Sequence, residues 1–145
     1  MSQPETPTAA ALAETPAEPI AAPSISRAYQ CRCGRPVFLR NSRCLACQTP
    51  LGYVVEQLGV LPLAPVDDTD FFTVFGDPQG RQLRRCANFE SASGCNWMVP
   101  VAGAEGLLPD LCLACSTTRT IPDLSVPENA PLWNKMEQAK RRLLS

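Results

Sequence analysis

Histidine is absent from all 145 residues of this chain. That removes the commonest general base and, beside cysteine, the commonest metal ligand. Ser-His-Asp triads, Cys-His dyads and H-E-x-x-H zinc helices are therefore excluded within it. Any metal held here needs thiolates or carboxylates. A long apolar run is missing too, so no segment reads as a membrane span. No lysine or arginine precedes Arg27, which leaves no basic start for a secretory signal. The expected compartment is a reducing cytoplasm, where cysteines bind metal more often than they pair. Net charge is −1, so no global field draws the chain to nucleic acid or anionic membrane.

What is present is proline and cysteine, 15 and eight respectively. Residues 1–26 are mostly Pro, Ala, Thr and Glu, with too few large apolar side chains to offset chain entropy. They read as a disordered, mildly acidic tail. From 27 to 55 the composition changes. Cys31, Cys33, Cys44 and Cys47 fall close together around the β-like run Val37-Phe38-Leu39 and the turn signal Asn41-Ser42. This predicts a first zinc ribbon, a hairpin with cysteines at both ends. Residues 56–80 read as a linker over 56–70 followed by a strand at 71–75 and a turn at 76–80. The acidic run 67–70 is expected to be a solvated turn.

Residues 81–126 form a second four-cysteine unit, with strands expected at 81–85 and 96–100 and an irregular stretch at 116–126. Residues 127–145 predict a helix. Asn129 is its expected N-cap, Pro131 is tolerated in its first turn, and Arg141 and Arg142 suit its C-terminal dipole. Leu132, Met136, Ala139 and Leu143 recur at helical spacing, with Trp133 and Leu144 widening the stripe. The apolar end at Leu143-Leu144 implies continuation, or packing on something outside the chain. The fold class is thus a small, mostly-β zinc ribbon arrangement with short hairpins, a disordered N-terminal tail and one C-terminal α-helix.

The cysteines divide into C-x-C-x10-C-x2-C (Cys31, Cys33, Cys44, Cys47) and C-x8-C-x16-C-x2-C (Cys86, Cys95, Cys112, Cys115). Four thiolates satisfy zinc in a closed tetrahedron with Zn–S near 2.3 Å, which sets the sulfurs about 3.8 Å apart. A C-x2-C step reaches that spacing through a tight knuckle. Cys31 and Cys33, two apart, would leave the same face of an extended segment. The longer step from Cys86 to Cys95 needs a turn, which Gly94 can supply. Two structural Zn2+ ions are expected. A closed four-thiolate site leaves no position for water or substrate, so the ions would hold the fold and not catalyse. So short a ribbon lacks a sufficient apolar core, and a structural zinc can contribute on the order of 10–16 kcal/mol of apparent binding free energy to folding.

Arg32, Arg35, Arg40 and Arg43 surround the first set, with no acidic residue from Arg27 to Val55. They are expected to balance thiolate charge, while backbone N–H groups near Gly34 and after Cys47 bond the sulfurs. A redox C-x2-C at Cys44-Cys47 or Cys112-Cys115 is a weak reading, because no thioredoxin-like βαβ pattern surrounds either pair. Three other readings stay open. Disulfides would suit a secreted scaffold, but eight cysteines in 145 residues fall below the roughly 8–10% of such chains. Iron could replace zinc in a rubredoxin-like electron-transfer centre. The arginines, with Tyr29, Phe38 and Tyr53 for stacking, could serve a nucleic-acid-binding ribbon. Trp97 and Trp133 read as core.

The stretches CRCGRPVFLRNSRCLACQTPLGY (31–53), RRCANFESASGCNWMVP (84–100) and LCLACSTTRTIPDLSVPENAPLWNKMEQAKRRLL (111–144) resemble a bacterial family of zinc-binding metallopeptidases that begin with a zinc ribbon. The resemblance covers most of 29–144 and corresponds to the N-terminal part of that family. It implies the same eight cysteines as ligands, and a protein partner in the form of a peptidase domain packing on the C-terminal helix. The peptidase activity itself does not carry over, because this chain has no histidine to bind a catalytic zinc. The chain is expected to be a non-enzymatic module.

Overall fold

A computed structural model describes residues 28–101 and 110–145. The tail expected over 1–26, together with Arg27, lies outside the described residues. Two β-sheets and two helices follow in chain order. Strands β1 (Ala28–Gln30) and β2 (Pro36–Phe38) form an antiparallel hairpin with Tyr29 opposite Val37. Strands β3 (Leu51–Val54), β4 (Gly59–Pro65), β5 (Phe71–Val74), β6 (Gln82–Arg85) and β7 (Met98–Pro100) form a second, antiparallel sheet in sequence order. A 3-10 turn at Val55–Gln57 joins β3 to β4. Helices α1 (Leu113–Ser116) and α2 (Asn129–Leu144) complete the chain. Among the described residues, no helix is long and apolar enough to cross a membrane.

The mostly-β class and the main C-terminal helix are as expected from sequence, as are the strands at 71–74, 82–85 and 98–100. The acidic run 67–70 is the exposed turn between β4 and β5. Two local readings differ. The first hairpin is not built across Asn41-Ser42: β2 pairs backward with β1, and Cys31 and Cys33 occupy the turn between them. The second difference lies in 56–70, read as linker, which contains β4, a central strand of the larger sheet. Pro62 and Pro65 disguise it, since proline normally breaks a strand. Here Pro62 uses only its carbonyl, accepting from the Phe75 N–H at 2.8 Å. Its missing donor falls where β5 has already ended.

The sheet curls until β3 meets the approach to β7. Tyr53 bridges Trp97 there, with the Tyr53 N–H donating to the Asn96 carbonyl at 3.0 Å. The two rings stack at 4.4 Å between centroids and are fully buried. Around them Leu51, Val60 and Val99 pack with cysteines of both sets, so the two clusters share one core. The opposite face buries Val54, Leu63, Leu83 and Met98. Gly52 permits that packing: a Cβ there would stand 2.5 Å from Met98 Sδ and 3.0 Å from Leu63 Cδ1.

Helix α2 does not use its expected N-cap. Glu128, not Asn129, precedes the first helical residue and makes no side-chain cap; Asn129 instead donates to the Asp123 carbonyl at 2.8 Å. Glu137 and Arg141 face inward and are buried, whereas Leu132, Met136, Ala139 and Leu143 all face solvent. Trp133 is half-buried and Leu144 exposed. The helix docks through polar atoms. Arg141 donates to the Ser93 carbonyl at 2.8 Å, Asn134 to the Ala92 carbonyl at 3.2 Å, and Thr118 to Glu137 at 3.3 Å. Lys140 joins Glu137 in an ion pair at 2.8 Å and also bonds Thr118. These side chains supply donors to backbone carbonyls of the loops the helix covers.

Candidate metal centres

The first cluster is assembled from two tight turns. In the β1–β2 turn the Cys31 N–H donates to the Arg35 carbonyl and the Gly34 N–H to the Cys31 carbonyl. This brings Cys31 and Cys33 round through a turn; they do not share the face of an extended segment. The second turn is pinched by the bridge between Arg43 and Pro50, with the Cys44 N–H donating to the Thr49 carbonyl and the Gln48 N–H to the Cys44 carbonyl. The four sulfurs converge: Cys31 Sγ lies 3.6 Å from Cys47 Sγ, and Cys33 Sγ lies 3.7 Å from Cys44 Sγ. All four lie within 4.8 Å of one another.

Burial is uneven in this cluster. Cys31 and Cys44 are buried, Cys47 is partly covered and Cys33 is exposed. The proton affinities differ with surroundings. Burial pushes the Cys31 thiol up to about 12. The N–H groups of Cys47 and then Ala46 hold Cys44 below the ordinary thiol range. The Thr49 hydroxyl, 3.1 Å from Cys47 Sγ, and the Thr49 N–H bring Cys47 down to about 6. The expected support from N–H groups after Cys47 is therefore present at Thr49. Near Gly34 it comes from the Cys33 N–H, which favours the Cys31 thiolate, while the Gly34 N–H itself serves the Cys31 carbonyl. Thr49, itself buried, is a contact the sequence reading missed, although a hydroxyl two positions after a C-x2-C knuckle is the signal for it. Arg32, Arg35, Arg40 and Arg43 are all exposed, and the Arg32 guanidinium rests over the Phe75 ring at 5.0 Å.

The second cluster draws on three places in the chain. Cys86 follows β6, Cys95 precedes β7, and Cys112 and Cys115 lie at the start and within α1. The long step from Cys86 to Cys95 folds on itself, with the Phe89 N–H donating to the Cys86 carbonyl, the Cys95 N–H to the Asn88 carbonyl and the Gly94 N–H to the Ser91 carbonyl. Gly94 turns the chain at φ +56°, as its position before Cys95 suggested. The Ala87 N–H donates to the Asp110 carbonyl and draws the C-x2-C segment alongside. Cys95 Sγ and Cys112 Sγ are 3.6 Å apart, and again all four sulfurs lie within 4.8 Å. The Cys112 N–H donates to Cys86 Sγ and the Cys115 N–H to Cys112 Sγ, both at 3.4 Å. All four cysteines are buried.

These spacings match the edge of about 3.8 Å that a zinc tetrathiolate requires. Electrostatics points the same way. Contacts among the sulfurs lower Cys86 and Cys115 and raise Cys95 and Cys112. Four thiolates so close repel one another, and a dication is the charge that lets all four ionise together. Each cluster could hold one zinc. Tyr53 takes no part in any ligand surface, being sealed against Trp97. Tyr29 and Phe38 instead line a groove of about 870 Å³ with Arg40 and Arg142.

Fold and cysteine geometry define a zinc ribbon. The chain belongs to the zinc-ribbon domain family, which it matches over residues 28–126. The two four-cysteine clusters are consistent with two zinc-binding sites in that domain. Uncharacterized proteins of Mycobacterium bovis and Mycobacterium tuberculosis are 31% identical to it over 120 residues. That alignment covers 82% of this chain but 30% of the length of those relatives. No solved structure matches the chain.

Proposed function

We propose that this chain is a non-catalytic zinc module whose role is structural and protein-interacting. Cys31, Cys33, Cys44 and Cys47 bind one Zn2+; Cys86, Cys95, Cys112 and Cys115 bind a second. The observation that carries this is the convergence of all eight sulfurs into two closed tetrads in a chain without histidine. With every ligand position taken by thiolate, neither ion has room to activate water. Both ions serve the shared Tyr53–Trp97 core, which is small for the backbone it must order. The partner in this reading is a protein domain contacting α2. The resemblance to ribbon-bearing metallopeptidases makes a peptidase domain the leading choice, and the greater length of the mycobacterial relatives leaves room for one.

Elemental analysis of the purified chain tests the reading: two zinc per chain are expected. Oxidised thiols with no metal, or iron accompanied by visible absorbance, would refute it. A second reading as a nucleic-acid-binding ribbon has one observation in its favour, the groove where Tyr29 and Phe38 lie beside Arg40 and Arg142. The net charge of −1 and the burial of Tyr53 weigh against it.

A further inference from the structure

The side of α2 turned away from the core carries a line of apolar residues that nothing among the described residues covers. Leu132 is 56%, Met136 65% and Leu143 85% exposed, and Ala139 between them is also exposed. Single exposed apolar side chains are ordinary, but four in one line on a held helix make a patch. Their steps along the chain, four, three and four, are those of the a/d seam by which two helices pack. The helix beneath is fixed in orientation, because Glu137 and Arg141 bind it to the loops around Cys95 and Cys115.

One border of the seam is basic. Lys135 and Arg142 are exposed beside it. The only carboxylate in α2 is Glu137, which is buried on the opposite side. A second copy of this chain would bring basic borders together and pay in repulsion. A lipid surface favours a wide apolar face with aromatic side chains, whereas this seam is narrow and its neighbour Trp133 is half-buried. An amphipathic helix with acidic flanks satisfies both features at once.

We propose that the outer face of α2 docks an amphipathic helix of a partner protein, apolar seam against Leu132, Met136, Ala139 and Leu143 and carboxylates against Lys135 and Arg142. This rests on the protein-interaction reading above and specifies the partner's chemistry.

The test uses the full, zinc-loaded chain and two labelled peptides of three heptads. Both carry leucine at a and d; one carries glutamate and the other lysine at e and g. Fluorescence anisotropy should show saturable binding of the glutamate peptide, with the lysine peptide at least about tenfold weaker. Met136→Asp should weaken the glutamate peptide by at least about tenfold, and Lys135→Glu with Arg142→Glu should reverse the preference. Retained zinc content and circular dichroism show that each variant is folded; Ala139→Asp repeats the test if Met136→Asp is not. Equal binding of both peptides, indifference to the seam substitutions, a dimer dissolved by Met136→Asp, or binding of phosphatidylglycerol vesicles in place of peptide would each overturn the proposal. A chain that holds two zinc ions yet ignores both peptides sinks the docking face and leaves the zinc module standing.

Discussion

Replacing Arg141 by methionine should loosen α2 without emptying either cysteine cluster. Arg141 is 4% exposed and donates to the Ser93 carbonyl at 2.8 Å and the Gly94 carbonyl at 3.4 Å. Its Nη1 lies 3.9 Å from Glu137 Oε2. Methionine keeps much of the volume but removes every donor. The Ser93 carbonyl would then lose a charged hydrogen bond worth about 1.5–3 kcal/mol. Glu137 would keep Lys140 and Thr118, so its charge stays compensated and the larger penalty of an orphaned buried ion does not apply. The loss should therefore be about 2–3 kcal/mol, confined to the docking of α2. At about 1.4 kcal/mol per factor of ten, that is roughly a 30- to 140-fold rise in helix opening. Hydrogen exchange read by mass spectrometry over 129–144 measures it, with zinc content as the control. Arg142→Met, an exposed neighbour, should change stability by less than about 0.5 kcal/mol. A change of less than about threefold in α2 exchange for Arg141→Met would refute the claim that polar mooring holds the helix.

Chelator treatment should release zinc in two phases, since Cys33 is exposed while every cysteine of the second cluster is buried. A metal-sensitive dye follows release, and Cys33→Ser should speed only the first phase. Acidification should also strip the metal, because protons compete for the thiolates; zinc-derived stability is present at neutral pH and lost as pH falls. Thermal unfolding across a pH series checks that sign, and stability that rises on acidification would contradict it. Gly52→Ala should destabilise by about 1–3 kcal/mol through overpacking against Met98, and combined with Met98→Ala the two losses should be less than additive. Filter binding at about 0.15 M salt should detect no association with DNA or RNA. Salt-dependent binding weakened by Arg35→Ala or Arg43→Ala would restore the nucleic-acid reading.

The residues that were legible in the sequence are those whose chemistry is local. A C-x2-C step can reach one ion through a knuckle whatever surrounds it, so Cys44 with Cys47 and Cys112 with Cys115 announce themselves. Gly94 was legible for the same reason, as a turn beside a ligand. β4 was not, because Pro62 and Pro65 argue against a strand until the register shows that Pro62 has no donor to lose. Thr49, two positions after Cys47, was legible in principle and overlooked, whereas Asn96 was missed because its partners are set by folding. Asn96 donates to the carbonyls of Leu39 and Asn41, more than 50 positions away in the chain, at 2.7 and 2.9 Å.

Helix α2 marks the division most clearly. Periodicity, with cap and terminal-charge signals, predicted a helix over 127–145 and which side chains share a line along it, because a pitch of about 3.6 residues follows from backbone geometry. Which side of that helix turns inward depended on long-range hydrogen bonds. Carbonyls left by the loop before Cys95 needed donors, and Arg141 and Asn134 could reach them while leucine could not. Sequence thus determined the two cysteine sets and their C-x2-C knuckles. Tertiary structure decided that both sets share one core, and that the helix meets it with its charged side, leaving its apolar seam to solvent.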